Sequence, residues 1–500
     1  MMSIFNILLC VHAAILLASV NATGTSEPQK YALTIIDLNA EHRRLVPISG
    51  YVILGGNLVG GLFRGFFGES VAIDETGTTI IVREFGTDTI RVYENAANGW
   101  TQKGQDLTGF PIRFVPAGGL TVAISGDGSI VVVSSSVYEI VEVFQYDTST
   151  MMWLQRGSTI QGFELDGSAI YSFGSAISLS ADGNKIQVGA HLHSSPMVDL
   201  NGFATTYFWN STDWELETYF SPDFNTVVSG LYGETDFADL GKSVSVSGDG
   251  NWIAVGMPGS GISDNDSTRF GECRVYRSDG SIQQVVRGGG AMFGSTIQQN
   301  FGFSVALNYD GSIIAVGSPG YDVLDVATQV GKVQVFRRTG ATWGQLGSDL
   351  IGDEQSDEFG YSIDLSNDGK TLVAGSAKFR GYARIYTFDG TDWVLQEISR
   401  AQGFDIDGIE LNDRLGKSVA VSGDGTKVLV AAPHYDGTDT DHGLVQMWGQ
   451  TDFPTFSPIL NPLPQVGNLG TGGSPAQTNI VSRALDWWQG AVASLEGFFV

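Results

Sequence analysis

The sequence predicts an all-β fold: a seven-bladed β-propeller spanning residues 51–450 and closed by a strand from its N-terminal side. Three observations predict it. First, one phrase recurs along the chain, as in SVSVSGDGNWIAVGMP (Ser243–Pro258) and SVAVSGDGTKVLVAAP (Ser418–Pro433). Seven copies have turn glycines at Gly77, Gly128, Gly183, Gly250, Gly311, Gly369 and Gly425, spaced 51, 55, 67, 61, 58 and 56 residues apart. A period of this size is the mark of a repeat architecture. Second, each copy carries three strand-like runs and most add a fourth, the make-up of a four-stranded blade. Third, the last copy lacks its fourth run and a matching one precedes the first copy.

Each element has a local reason. Two apolar runs flank an Asp-Gly turn, as in VALNYDGSIIAVG (Val305–Gly317), which is a strong hairpin signal. A third run alternates β-branched and aromatic residues: IRVYE from Ile90, VEVFQY from Val141, ATTYFW from Ala204, CRVYRS from Cys273, KVQVFRR from Lys332, ARIYTF from Ala383 and LVQMWG from Leu444. Such alternation suits a strand packed against neighbours. A fourth run opens on an aromatic at Trp100, Trp153 and Trp343, with weaker versions at Trp214 and Trp393. The recurrence of Trp at one strand position points to packing between blades, not to a sugar-stacking ladder. After Trp448 the chain turns to DFPTFSPILNPLP, whereas YVILGGNLVG (Tyr51–Gly60) aligns on WGQLGSDLIG (Trp343–Gly352). That N-terminal strand is expected to complete the last blade and remove an open sheet edge.

The flanks divide further. Residues 1–22 read as a secretory signal peptide, with an apolar run from Ile4 to Val20 and small residues before a cleavage point after Ala22; the alternative is an uncleaved N-terminal anchor. Residues 23–50 form a lead-in and 451–478 a Pro/Gly-rich linker. Residues 479–500, with Val481, Leu485, Trp488, Val492, Leu495 and Phe499 at helical spacing, read as an amphipathic helix, the alternative being a disordered tail. Charges and Gly490 within it argue against a membrane span. After signal removal Cys273 is the one cysteine left, so no internal disulfide forms, and its strand-like surroundings suggest a buried apolar role. Asn210 and Asn265 lie in glycosylation sequons; Asn21 does too but would leave with the signal.

Fifty-four acidic against 27 basic residues give a formal charge of −27. That surface repels phosphate backbones and excludes nucleic acid as a natural partner. The copies resemble the FG-GAP repeats of the integrin α-subunit propeller, and more closely the related repeats of secreted proteins. Phe301-Gly302, Ser304, Asp310-Gly311, Val316-Gly317 and Pro319 carry the match. The resemblance implies Asp-Gly turns on one rim and V-G-x-P loops on the opposite, upper rim. It also implies calcium in D-x-D-x-D-G-x-x-D turns, but only Asp364, Ser366, Asp368 and Gly369 approach that pattern and Leu372 replaces its last acid. The turns therefore read as plain hairpins.

Long upper loops are where recognition is expected. Asp436, Asp439 and Asp441 cluster there and could offer oxygens to Ca²⁺. His191, His193 and His434 occupy related loops as candidate ligand contacts. The same residues also serve as ordinary turn formers. No H-E-x-x-H, G-x-S-x-G, P-loop or Cys-x-x-Cys signature is present. The expectation is a secreted or cell-surface, non-catalytic recognition or adhesion scaffold that binds an extracellular protein or glycan through its upper rim. The alternative is a propeller enzyme acting on extracellular polysaccharide, whose carboxylates would converge from different blades.

Overall fold

The computed structural model describes residues 51–450, except 88, 97–98, 109–119, 164–169, 196–199, 218, 222–225, 229–230, 234–236, 261–269, 279–282, 287–298, 324–327, 397–405, 408–411 and 437–439. The expected signal peptide (1–22), lead-in (23–50), linker (451–478) and amphipathic helix (479–500), and also Asn265 and Asp439, lie outside the described residues.

Seven antiparallel sheets follow one another along the chain. Their innermost strands begin at Phe67, Leu120, Ala176, Val244, Ser304, Ser362 and Ser418. Each innermost strand neighbours the next, and the strand of the seventh blade neighbours that of the first, so the sheets close into a ring. The seventh blade is ordered Tyr51–Val59, Leu444–Gln450, Lys427–Ala432, Ser418–Val421. The N-terminal strand thus supplies the missing fourth strand, with Tyr51 opposite Gln450 and Val59 opposite Leu444. Its register shifts between Leu54 and Leu58, where Gly55 and Gly56 take positive φ.

There is no single central core. Apolar side chains gather in seven seams, one between each pair of neighbouring blades. The seam that closes the ring joins Phe67, Val71, Ile80 and Val82 of the first blade to Leu429, Ala431, Val445 and Met447 of the seventh. The described tryptophans lie in these seams. The indole N–H of Trp153 donates to Lys103 O (2.7 Å), that of Trp214 to Arg156 O (2.9 Å) and that of Trp393 to Leu346 O (2.9 Å), each on the preceding blade. The expected single fourth strand is broken at these acceptors: Met152–Gln155 is followed by Ile160–Gln161, and Thr342–Gln345 by Leu350–Ile351. The next blade's indole occupies the gap, which a side chain at Gly157 or Gly347 would fill. The third blade adds a hairpin, Tyr219–Ser221 with Thr226–Val228, which accounts for the longest interval between repeats.

The Asp-Gly turns are tight hairpins. Ser125 N–H donates to Ile130 O and Gly128 N–H to Ser125 O, and the other six copies repeat both bonds. Asp127 anchors its turn by accepting from Ser125 Oγ (2.7 Å) and Ser129 N (2.9 Å). At Asp127, Asp182, Asp310, Asp368 and Asp424 partial burial opposes ionisation, but such hydrogen bonds outweigh it and hold the carboxyls below their usual range. The first blade reverses the arrangement, with Asp74 accepting from Thr76, Thr78 and Thr79.

These turns also bond to one another. Glu75 N–H donates to Gly126 O, Gly126 to Ala181 O, Ala181 to Gly248 O, Asp249 to Tyr309 O, Tyr309 to Asn367 O and Asn367 to Gly423 O, at 2.9–3.1 Å. A belt of backbone hydrogen bonds therefore links all seven blades at the lower end of the inner strand ring.

Candidate functional site

Strand direction assigns the two rims. Every innermost strand runs toward its Asp-Gly turn, in six blades away from an F/L-G pair, so the connections between blades and the loops joining second to third strands share the upper rim. Among the described residues the exposed aromatic side chains divide unevenly. Phe63 (62% exposed), Phe163, Tyr171 (61%), Phe237 and Phe379 (54%) stand on upper connections; Tyr309 is the exposed aromatic of the lower turns.

The histidines of the upper loops have separate fates. His193 is buried against Phe203 and Tyr232, and its Nδ1 accepts from Tyr171 N–H at 3.2 Å. It is a packing residue of the third blade. His191 Nδ1 lies 2.9 Å from Ser175 Oγ; burial, and then nearby Lys242, push its pKa down to about 3, so the ring is neutral at physiological pH. His434 packs edge-on to Phe66 (4.8 Å) and its Nδ1 lies 3.0 Å from Asp441 Oδ1. Burial and Arg414 lower its pKa, against the pull of Asp441. Asp436 is exposed and its Oδ1 accepts from Asp441 N–H at 3.0 Å. Both described aspartates of the expected cation cluster thus take part in loop hydrogen bonds. No group of three or more His, Cys, Asp or Glu side chains is arranged for a metal among the described residues.

Sequence reasoning missed a second set of residues. The position after each F/L-G pair, at the start of the innermost strand, holds Glu69, Ser175, Lys242, Phe303, Tyr361 and Lys417 in six of the blades. The ring fold brings most of them into one chain of contacts. Lys417 Nζ lies 3.7 Å from Glu69 Oε1, donates to Tyr361 Oη at 2.8 Å and sits 4.6 Å from the Tyr361 ring centre. The Tyr361 and Phe303 rings are 5.0 Å apart, and Lys242 Nζ lies 5.4 Å from the Phe303 ring centre. The result is a cationic and aromatic crown at the upper end of the inner ring of a strongly acidic protein.

One step deeper, inter-blade bonds replace chemistry. Ser178 Oγ accepts from Val246 N–H and Ser245 Oγ from Leu307 N–H, both at 3.0 Å. Asp364 holds the same position in the sixth blade and accepts from Val421 N–H at 2.8 Å. Among the described residues its carboxylate has no ion-pair partner, and burial pushes its pKa up to about 6. A carboxyl raised above its unfolded value of about 3.9 stabilises the fold only while protonated. Stability is therefore lost as pH rises through about 6. Asp364→Ser keeps an acceptor for Val421 N–H and removes the charge. It is expected to gain roughly 2–3 kcal/mol at pH 8 and little below pH 4, read from thermal melts across pH; equal gains at both pH values would contradict this.

Elsewhere, Cys273 is buried in the third strand of the fourth blade, and burial pushes its thiol pKa up, away from reactivity. Asn210 is exposed in a lower turn, where its side-chain oxygen accepts from Thr212 and Asp213 N–H. No described helix is long and apolar enough to cross a membrane.

No family model matches the chain, and no curated protein matches it. Among solved structures it is similar to Kuenenia stuttgartiensis hydrazine synthase, with 14% identity, coverage of 80% of this chain and 99% of that chain, and a TM-score of 0.49. So distant a likeness carries no functional argument. The assignment as a seven-bladed propeller rests on the chain's own strand pairing.

Proposed function

We propose that this protein is a secreted or cell-surface recognition scaffold of the FG-GAP type, non-catalytic, which engages an extracellular protein or glycan through its upper rim. One observation carries the reading: among the described residues, exposed aromatic side chains stand on the upper connections and are nearly lacking from the lower turns. Exposed aromatics cost solvation and are favoured at contact surfaces, where they bury large area with little loss of rotamer freedom. The lower turns, by contrast, spend their polar groups on one another and on the belt.

An array of purified extracellular-matrix proteins and polysaccharides tests it. The intact protein is expected to retain at least one class of ligand and to leave polysaccharide chain length unchanged. Phe63→Ser combined with Phe379→Ser should weaken binding about tenfold or more, the scale of two interface anchors, while Tyr309→Ser leaves it intact. Polysaccharide turnover abolished by a single carboxylate substitution would replace this reading with an enzyme.

A further inference from the structure

Three exposed arginines, Arg64, Arg380 and Arg414, stand on upper segments that flank the seventh blade. Backbone bonds hold those segments side by side. Arg414 N–H donates to Phe379 O at 3.1 Å and Leu415 N–H to Arg380 O at 2.9 Å. On the other side His434 N–H donates to Asp413 O at 3.2 Å, the His434 ring packs on Phe66, and Arg64 N–H donates to Thr440 O at 2.9 Å. The exposed rings of Phe63 and Phe379 directly precede Arg64 and Arg380, so the strip sets apolar faces beside guanidinium groups. Among the described residues none of the three arginines has a carboxylate at ion-pair distance. The acids of the strip are engaged elsewhere: Glu358 with Lys378, Glu69 with Lys417 and Asp441 with His434, while Asp413 is buried and exposed Asp436 accepts from Asp441 N–H.

The backbone makes these side chains a costly choice. Arg64 (φ 53°), Phe379 (φ 52°) and Arg414 (φ 53°) lie in the left-handed region, which favours glycine and asparagine over long side chains. The repeat itself supplies the cheaper residue elsewhere. Asn412 (φ 80°) stands where Arg64 does, three residues before the F/L-G pair, and Asn300 (φ 56°) where Arg414 does, one residue before it. Strained positions filled against local preference, by arginines that pair with no described carboxylate, point to contact with a partner.

Charge sets the partner's sign. The chain's many acids repel an anion, but at physiological salt that repulsion is screened over about 8 Å, and guanidinium groups bind oxyanions through paired hydrogen bonds. A peptide is typically held along a strand edge or in a groove. Here the backbone groups bond between segments, and the side chains stand on open loop tips. Anionic lipids face the cytoplasm, whereas the recognition reading places the protein outside the cell. A polysaccharide with a charged group on each repeat needs neither groove nor edge: its anionic groups meet successive arginines while the C–H faces of its sugar rings lie on Phe63 and Phe379.

We infer that Arg64, Arg380 and Arg414, with Phe63 and Phe379, form a docking strip for an extended anionic polysaccharide. This names a ligand class for the upper rim and rests on the recognition reading.

The probe is fluorescein-labelled dextran sulfate, titrated with the full-length protein and followed by anisotropy. Saturable binding that weakens with added salt is expected, with labelled uncharged dextran left unbound. Arg64→Asn combined with Arg414→Asn should weaken binding about tenfold or more, the loss of two charge-assisted contacts. Because asparagine suits a left-handed backbone, the same variant should melt no lower than wild type, so lost binding reports the strip and not the fold. Arg337→Gln combined with Lys370→Gln removes the same charge from exposed side chains of the lower half and should leave binding unchanged. No binding of dextran sulfate, or equal binding by wild type and the asparagine variant, would overturn the proposal. Labelled polyglutamate of matched charge, or phosphatidylserine vesicles, bound more tightly through the same arginines would overturn the polysaccharide assignment. A matrix array that retains ligands while dextran sulfate stays unbound would remove the strip and leave the recognition reading. Dextran sulfate binding lost in the asparagine variant, beside a silent array, would sustain the strip and remove that reading.

Discussion

Deleting residues 51–60 from the full chain is expected to lower the melting temperature by about 10 °C or more and to produce self-associated protein. The strand Tyr51–Val59 is the outer strand of the seventh blade, and without it Leu444–Gln450 presents unpaired backbone donors and acceptors along one edge. The deletion also removes Tyr51, whose side chain is buried and whose hydroxyl donates to Gly425 O at 3.1 Å, and the bond from Gln446 Nε2 to Asn57 Oδ1. Because the seventh and first blades share a seam, loss of one strand is felt at the closure of the whole ring. Size-exclusion chromatography and calorimetry check this; a monomer with an unchanged melting temperature would refute closure by this strand.

Gly443→Val should be nearly as damaging. Gly443 has φ +83°, and a Cβ there would lie 2.2 Å from Phe67 O and 2.3 Å from Phe67 N, at the point where the third strand of the last blade meets the start of the first. Gly331 and Gly381 meet Phe359 and Leu415 in the same way, so the contact is a repeated feature of blade docking. Backbone atoms cannot rotate away from a methyl group as a flexible side chain can. A loss of several kcal/mol is expected, with soluble yield falling accordingly. Gly344→Val is the control, since Gly344 has open space around its Cα and no positive φ, and its change should stay within about 0.5 kcal/mol.

The fold was legible because the repeat states it seven times. Asp-Gly turns, alternating third strands and the Tyr51–Gly60 phrase each depend on a few neighbouring residues, and local patterns survive in sequence. Trp153, Trp214 and Trp393 were readable for the same reason. The break in the fourth strand was not, because it depends on an indole arriving from the next blade. Nor was the role of His193: nothing beside it in sequence announces Phe203 and Tyr232 as neighbours. The crown was hidden in another way. Glu69, Lys242, Phe303, Tyr361 and Lys417 share a repeat position but no residue type, so the motif looks variable where the ring makes it continuous. Aligning the residue after each F/L-G pair would have exposed the column. The exposed aromatics of the upper rim are scattered over separate loops, with Phe163 and Tyr171 sharing one, and only ring closure puts Phe63, Tyr171, Phe237 and Phe379 on one face.

The functional claim is that one rim recognises and the other holds the ring together. Hydrogen exchange on the intact protein, alone and with the strongest binder from the matrix array, measures this directly. The account predicts slowed exchange in the upper segments 61–66, 170–175, 237–242 and 376–381, with the turns 74–78, 125–129, 309–312 and 367–370 unchanged. Protection concentrated in those lower turns, with the upper segments exchanging as in the free protein, would contradict it.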